Sequence, residues 1–157
     1  NLVNNIINGL AGNDTIKAVA GSNTITGGEG NDVLYGGTGS DRFVFTGNWG
    51  NDTLYDNENE LGQTTGKGGH TLYFSDITAN LTLTFDKSAS IDKLNVADGV
   101  SSLSYESRFP DILKALYAGS GNDVFNLNEM SSGRTAGLYG GAGSDTYNIK
   151  MATYAGL

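Results

Sequence analysis

Residues 27–44 read GGEGNDVLYGGTGSDRFV, two nine-residue units in direct succession. In both, places one, two and four are glycine, place six is aspartate and place eight is large and apolar. Working outward, residues 9–17 (GLAGNDTIK) and 18–26 (AVAGSNTIT) keep the register. Place four holds Gly12, Gly21, Gly30 and Gly39. Place six holds Asp14, Asn23, Asp32 and Asp41, and place eight holds Ile16, Ile25, Leu34 and Phe43. Three columns on one period define a repeat architecture. After a two-residue insertion the pattern resumes in Gly50-Asn51-Asp52-Thr53-Leu54. It returns at 118–126 (AGSGNDVFN) and 140–148 (GGAGSDTYN). Asp123 and Asp145 lie 22 apart, two periods plus a four-residue insertion around Ser131, Ser132 and Gly133.

The columns have a physical meaning. Glycines at places one, two and four permit the positive φ of a tight turn. The last three places alternate outward, inward, outward, which is a three-residue strand with one core side chain. Turn and strand, taken twice, make a flattened coil of 18 residues. Stacked coils set strand on strand about 4.8 Å apart. Residues 18 apart then become neighbours: Asp14 meets Asp32, Asn23 meets Asp41, and Asp32 meets Asp52 across the insertion. Bare carboxylates so close repel. A hard cation between them, with turn carbonyls beside it, converts the repulsion into an oxygen cage. Oxygen-only ligation from a flexible turn suits Ca²⁺ better than Mg²⁺, which demands near-ideal octahedral geometry.

The units at 27–35 and 36–44 fit the pattern GGxGxDxUx in full, and those at 118–126 and 140–148 fit it closely. The chain thus resembles the RTX, or repeat-in-toxin, family of calcium-binding nonapeptide repeats. The resemblance implies an all-β fold: a parallel β-roll, a right-handed β-helix-like solenoid, with a less regular β insertion in the middle. It implies that Asp14, Asp32, Asp41, Asp52, Asp123 and Asp145 bind Ca²⁺ with backbone carbonyls of the glycine turns. Gly12, Gly28, Gly30, Gly37, Gly39, Gly141 and Gly143 are the turn glycines in question. Asn23 in place of an acid predicts a weaker or empty level with Asp41, and Ala136 offers no ligand. Leu10 and Val19 replace the second glycine, which predicts distortion of the first two turns.

Composition agrees. Of 157 residues, 24 are glycine, about twice the usual share. Leu, Ile, Val and Phe supply only 36, so the core is thin for the length. Nine Lys/Arg against 17 Asp/Glu leave a net charge of −8 and a pI near 4.3. A nucleic-acid partner needs a basic stripe, and there is none. The attractive partner is a cation. Zero cysteines exclude disulfides and thiolate zinc sites. No apolar run reaches 18 residues, so the sequence predicts no membrane-spanning segment.

Three regions are expected: a calcium-binding β-roll block at 1–56, an irregular β segment or degenerate coils at 57–117, and a second calcium-binding block at 118–157. In the middle, Asp56, Asn57, Glu58, Asn59 and Glu60 form an acidic loop that lacks the glycine and closing Glu of an EF-hand. Residues 71–74 and 80–85 read as strands; 107–117 fits a short helix or a strand equally well. His70, the single histidine, falls in a sixth place of the coil pattern and reads as a turn residue. Trp49 and the tyrosines read as insertion and sheet-face packing. No nucleophile motif, phosphate loop or two-histidine metal pair is present.

These readings predict a non-catalytic calcium-binding segment of a larger bacterial protein, secreted or at the cell surface, that folds on export. The opening Asn1-Leu2-Val3-Asn4 falls mid-repeat, as expected of such a segment. The resemblance implies type I secretion. Two alternatives accompany this reading. One is a self-associating adhesin, surface-layer or filament module that uses the open edges of the roll. The other is an accessory module of a secreted hydrolase, toxin or sugar-modifying enzyme.

Overall fold

The computed structural model describes residues 3–55, 69–87, 92–107, 113–130 and 136–151. Among these it contains strands and no helix, arranged in two sheets and numbered along the chain. The first sheet runs β1 (Ile6–Asn8), β3 (Thr24–Thr26), β5 (Arg42–Val44), β7 (His70–Tyr73), β11 (Leu113–Tyr117) and β13 (Gly137–Tyr139). All its pairings are parallel. The second sheet runs β14 (Thr146–Met151), β12 (Val124–Met130), β8 (Thr82–Lys87), β9 (Asp92–Ala97), β10 (Ser102–Ser107), β6 (Asn51–Tyr55), β4 (Val33–Tyr35) and β2 (Thr15–Lys17). Odd and even strands of the repeats alternate between sheets, so each 18-residue coil adds one strand to each. Thr24 pairs with Ile6 and Val33 with Thr15, the expected spacing.

The core is the eighth-place column. Ile25, Phe43, Leu72 and Leu116 line the first sheet, and Ile16, Leu34, Leu54, Leu83 and Phe125 the second; all are buried. β7, β8 and β11 take coil positions although their sequences lack the repeat signature. The 107–117 ambiguity resolves for Leu113–Tyr117, which form a strand. The acidic stretch 56–60, residues 61–68 and the insertion at 131–133 lie outside the described residues.

The two sheets differ in strand number. Between β6 and β12 the second sheet holds β10, β9 and β8, while the first passes from β5 to β11 through β7 alone. β9 is antiparallel to both neighbours, so β8, β9 and β10 form a meander. The two extra strands lengthen that sheet by about 10 Å. Beside the difference, Phe45, Trp49 and Phe74 supply buried aromatic bulk. Phe45 stacks on Phe74 at 4.6 Å, and Trp49 meets Phe74 edge-on at 5.6 Å. Trp49 thus packs as the sequence suggested. The meander also shifts register. Asp52 pairs with Leu103, Leu103 with Val96, Val96 with Leu83, and Leu83 with Phe125. A sixth place therefore continues into an eighth place, an offset of two residues, roughly 6.6 Å along the strands.

One expectation needs correction. The turns at Leu10 and Val19 are not distorted. Both residues adopt positive φ, 78° and 67°, as the glycines do at Gly28 and Gly37 (112° and 78°). Their carbonyls accept from Glu29 N–H (2.8 Å) and Thr38 N–H (2.9 Å) of the next coil. Stacking fixes the turn, and the side chains point outward, Leu10 69% and Val19 46% exposed. The cost appears as backbone strain instead of altered shape. Among the described residues no helix is long and apolar enough to cross a membrane.

Candidate metal centre

The sixth-place residues stack in columns at the turns. Before the second sheet, Asp14 N–H donates to Asp32 Oδ1 (2.8 Å) and Asp32 N–H to Asp52 Oδ1 (2.9 Å). In the later repeats, Leu81 N–H donates to Asp123 Oδ1 (2.7 Å) and Asp123 N–H to Asp145 Oδ1 (3.0 Å). Before the first sheet, Asn5 N–H donates to Asn23 Oδ1 (3.1 Å), Asn23 N–H to Asp41 Oδ1 (2.8 Å), and Asp41 N–H to His70 Nδ1 (3.3 Å). One carboxylate oxygen thus ties coil to coil. The other, Oδ2, is buried without a hydrogen-bond partner in Asp14, Asp32, Asp41, Asp52 and Asp123.

The glycines explain the space. A β-carbon on Gly27, Gly36 or Gly140 would fall on Oδ2 of Asp32, Asp41 or Asp145. On Gly9 it would meet both Asp14 Oδ2 (2.7 Å) and the Gly27 carbonyl oxygen, so carboxylate and carbonyl close on one point. Glycines at places two and four let carbonyls stack. A β-carbon on Gly28 would strike the Leu10 carbonyl, on Gly37 that of Val19, and on Gly141 that of Gly119. At place four, Gly30 lies over the carbonyl of Gly12, Gly39 over that of Gly21, and Gly143 over that of Gly121. The predicted turn glycines therefore lie beside rows of oxygen atoms.

These carboxylates carry an electrostatic penalty. Burial pushes Asp52 up to about 7, against an opposing backbone bond from Asp32, and the neighbouring Asp32 charge adds to the rise. Burial likewise raises Asp41 to about 6 and raises Asp123. A cation removes the penalty. Among the described residues no three acidic, His or Cys side chains converge, so an ion here would have at most two carboxylates and would need carbonyls or water for the rest of its shell. The oxygen-only donors along Asp14–Asp32–Asp52 and Asp123–Asp145 fit calcium.

The remaining sixth places differ. Asn23 Nδ2 donates to Asp41 Oδ1 (3.0 Å) and to the carbonyls of Gly21 (3.1 Å) and Ala20 (3.4 Å), acceptors of the kind a cation would use. Leu81 is buried and brings no oxygen from its side chain. Sequence reasoning missed a second ladder at place five. Asn31 N–H donates to Asn13 Oδ1, Asn51 N–H to Asn31 Oδ1, and Ser144 N–H to Asn122 Oδ1, each at 2.8 Å. The signal was present as Asn or Ser beside every sixth-place acid.

Parallel strands alternating between two sheets, joined by glycine turns that stack carboxylates in columns, define a parallel β-roll. Residues 3–18, 8–43, 44–55 and 115–129 match the family model of the RTX calcium-binding nonapeptide repeat, in four copies. Such repeats bind Ca²⁺. No curated protein and no solved structure matches the chain significantly.

Proposed function

We propose that the chain is a non-catalytic calcium-binding segment of a larger bacterial protein, secreted or held at the cell surface. Calcium drives its folding after export. The ions sit between Asp14 and Asp32, between Asp32 and Asp52, and between Asp123 and Asp145. Carbonyls of turn residues such as Gly12, Gly28, Gly30, Gly141 and Gly143 complete the shells. The Asn23–Asp41 level, with Gly37 and Gly39, binds weakly or not at all. The observation that carries this reading is the row of buried Oδ2 atoms without partners.

The physical logic is linkage. A ligand that binds only the folded chain stabilises it by RT ln(1 + [L]/Kd), ~1.4 kcal/mol per ion at tenfold excess. Extracellular calcium modules have Kd of about 10⁻⁴–10⁻³ M, so the chain is only marginally folded in a low-calcium cytosol and folds fully outside. Far-UV circular dichroism during a calcium titration tests this. The β signal is expected to develop with calcium; full β structure in chelator would defeat the reading.

A second reading, self-association, draws support from the sheet borders. β1 and β2 lie at one end, β13 and β14 at the other. Tyr147 and Ile149 on β14 are 44% and 62% exposed. Light scattering that grows with calcium favours it; a monodisperse calcium-bound monomer argues against it.

A further inference from the structure

The outer face of the first sheet carries a column of tyrosines at place nine. Tyr73, Tyr117 and Tyr139 pair in register on β7, β11 and β13. Their rings stack nearly parallel, Tyr73 on Tyr117 at 4.7 Å and 8°, Tyr117 on Tyr139 at 4.5 Å and 5°. A side-chain hydrogen bond joins Tyr117 to Tyr139, so the phenol ends lie side by side. The two ends of the column differ. At one end the Arg42 guanidinium lies 3.8 Å over the Tyr73 ring. At the other, Tyr139 stands on the end strand of the sheet, 51% exposed. Gly137 clears the space for its ring: a β-carbon there would come within 2.8 Å of Tyr139 Cε2.

We propose that Tyr117 and Tyr139 are a site of oxidative cross-linking, joined ring to ring as dityrosine by a one-electron oxidant of the peroxidase class acting with hydrogen peroxide. Each phenol gives up one electron and its hydroxyl proton. The two phenoxyl radicals join through a carbon ortho to oxygen on each ring. Each ring then passes its ortho hydrogen to its oxygen, which restores both hydroxyls. In balance the chain loses two hydrogens and one hydrogen peroxide becomes two waters. Stacking supplies proximity: the partners are already held together, so coupling is a unimolecular step that outruns encounter between molecules. Exposure of Tyr139 lets the oxidant reach the pair and lets its ring slide across Tyr117. Tyr73 is the poorer partner, because the cation over its face opposes removal of an electron. Tyr35 and Tyr55 form another stack, but it is wider and more tilted, 5.2 Å and 19°, and Lys17 lies over Tyr35. Tyr147 is 44% exposed, yet its ring stacks on Phe125, which has no phenol to oxidise. The chain has no cysteine, so this bond would tie coil to coil where a disulfide cannot.

The inference needs only the folded roll and stands apart from the calcium reading. The chain in calcium, dilute enough to stay monomeric and checked for β structure by circular dichroism, is treated with a haem peroxidase and hydrogen peroxide. Dityrosine fluorescence follows the reaction, and fragment mass spectrometry maps the bond. A cross-linked monomer lighter by two hydrogens is expected, with fragments that tie Tyr117 to Tyr139. Tyr117→Phe and Tyr139→Phe, which keep the stacked ring, are each expected to lose that product, and Tyr147→Phe to keep it in full. If a variant fails to fold, the wild-type fragment map decides alone. Coupling that draws in Tyr147 as readily as Tyr139 would overturn the proposal. So would dityrosine found only in dimers, or peroxide consumed by the folded chain with no dityrosine formed.

Discussion

The two turn columns of the N-terminal repeats share one backbone and differ in chemistry. Before the second sheet stand Asp14, Asp32 and Asp52; before the first stand Asn5, Asn23, Asp41 and His70. In the amide column Asn5 Nδ2 donates to Asn23 Oδ1 (2.9 Å) and the Val3 carbonyl (2.7 Å), and Asn23 Nδ2 repeats the arrangement one coil on. An amide supplies N–H groups where an acid supplies only acceptors. The two asparagines are thus satisfied by their own side chains, while the aspartates of both columns, Asp41 included, leave Oδ2 bare. The roll itself needs glycine turns and an apolar eighth place. On the proposed function, its dependence on calcium is set by the single atom type, O or NH₂, at the end of place six.

The largest effect is expected from exchanging the columns' chemistry. In the proposed register Asp32 serves two calcium levels, so Asp32→Ala should lose both, about 3 kcal/mol of calcium-dependent stability at tenfold excess. Calorimetric stoichiometry in that variant checks the register, and an unchanged calcium count would break it. Asp32→Asn should lose the same ions yet gain β content in chelator, because its amide can do what Asn23 does. The reverse change, Asn23→Asp, should add one ion. It should also cost the calcium-free fold about 1–3 kcal/mol by removing donors from buried acceptors. Paired melts with calcium and with chelator separate the two terms.

Much of this was legible in the sequence, because the repeat encodes its own geometry. Place eight told which side chain turns inward, and the 18-residue coil told which acids meet. What stayed hidden lies where the signature fades. Leu81 looks like a strand residue of an alternating run, yet its N–H holds Asp123 Oδ1 in a sixth place. The meander β8–β9–β10 reverses one strand inside a parallel sheet, and a nine-residue period carries no information on that. The two-residue offset between the Asp52 and Asp123 turns follows from it. Leu10 and Val19 misled for another reason. Sequence argues from what a residue prefers, and stacked coils impose what the neighbour requires.

Acid should relieve the burial penalty in both columns. Asp52 and Asp41 have folded pKa values raised to about 7 and about 6 from an unfolded 3.8. A raised carboxyl pKa means that the native state binds more protons than the unfolded state between those limits. Stability of the calcium-free chain should therefore fall as pH rises from about 4 to about 7. Burial of Asp123 acts in the same direction. Chelator melts at pH 4.5 and pH 7 are expected to show the higher midpoint at pH 4.5. With calcium bound, protons compete with the ion and the order should reverse. A calcium-free midpoint that rises with pH would show that these carboxylates are not penalised by burial.

The smallest effect lies at the second-place turns. Val19 holds φ 67°, a region that a β-branched residue enters at a cost of roughly 1–3 kcal/mol. Its side chain is 46% exposed, so it regains little of that by packing. Val19→Gly removes the strain but adds about 1 kcal/mol of chain entropy to the unfolded state. The net gain should be about 1 kcal/mol, read as a higher melting midpoint in calcium and in chelator alike. Equality across the two conditions matters most. The Val19 carbonyl bonds Thr38 N–H and would do so equally from glycine, so calcium affinity has no reason to change. A gain confined to the calcium-loaded protein would instead mean that the second-place side chain restricts the turn's approach to the ion.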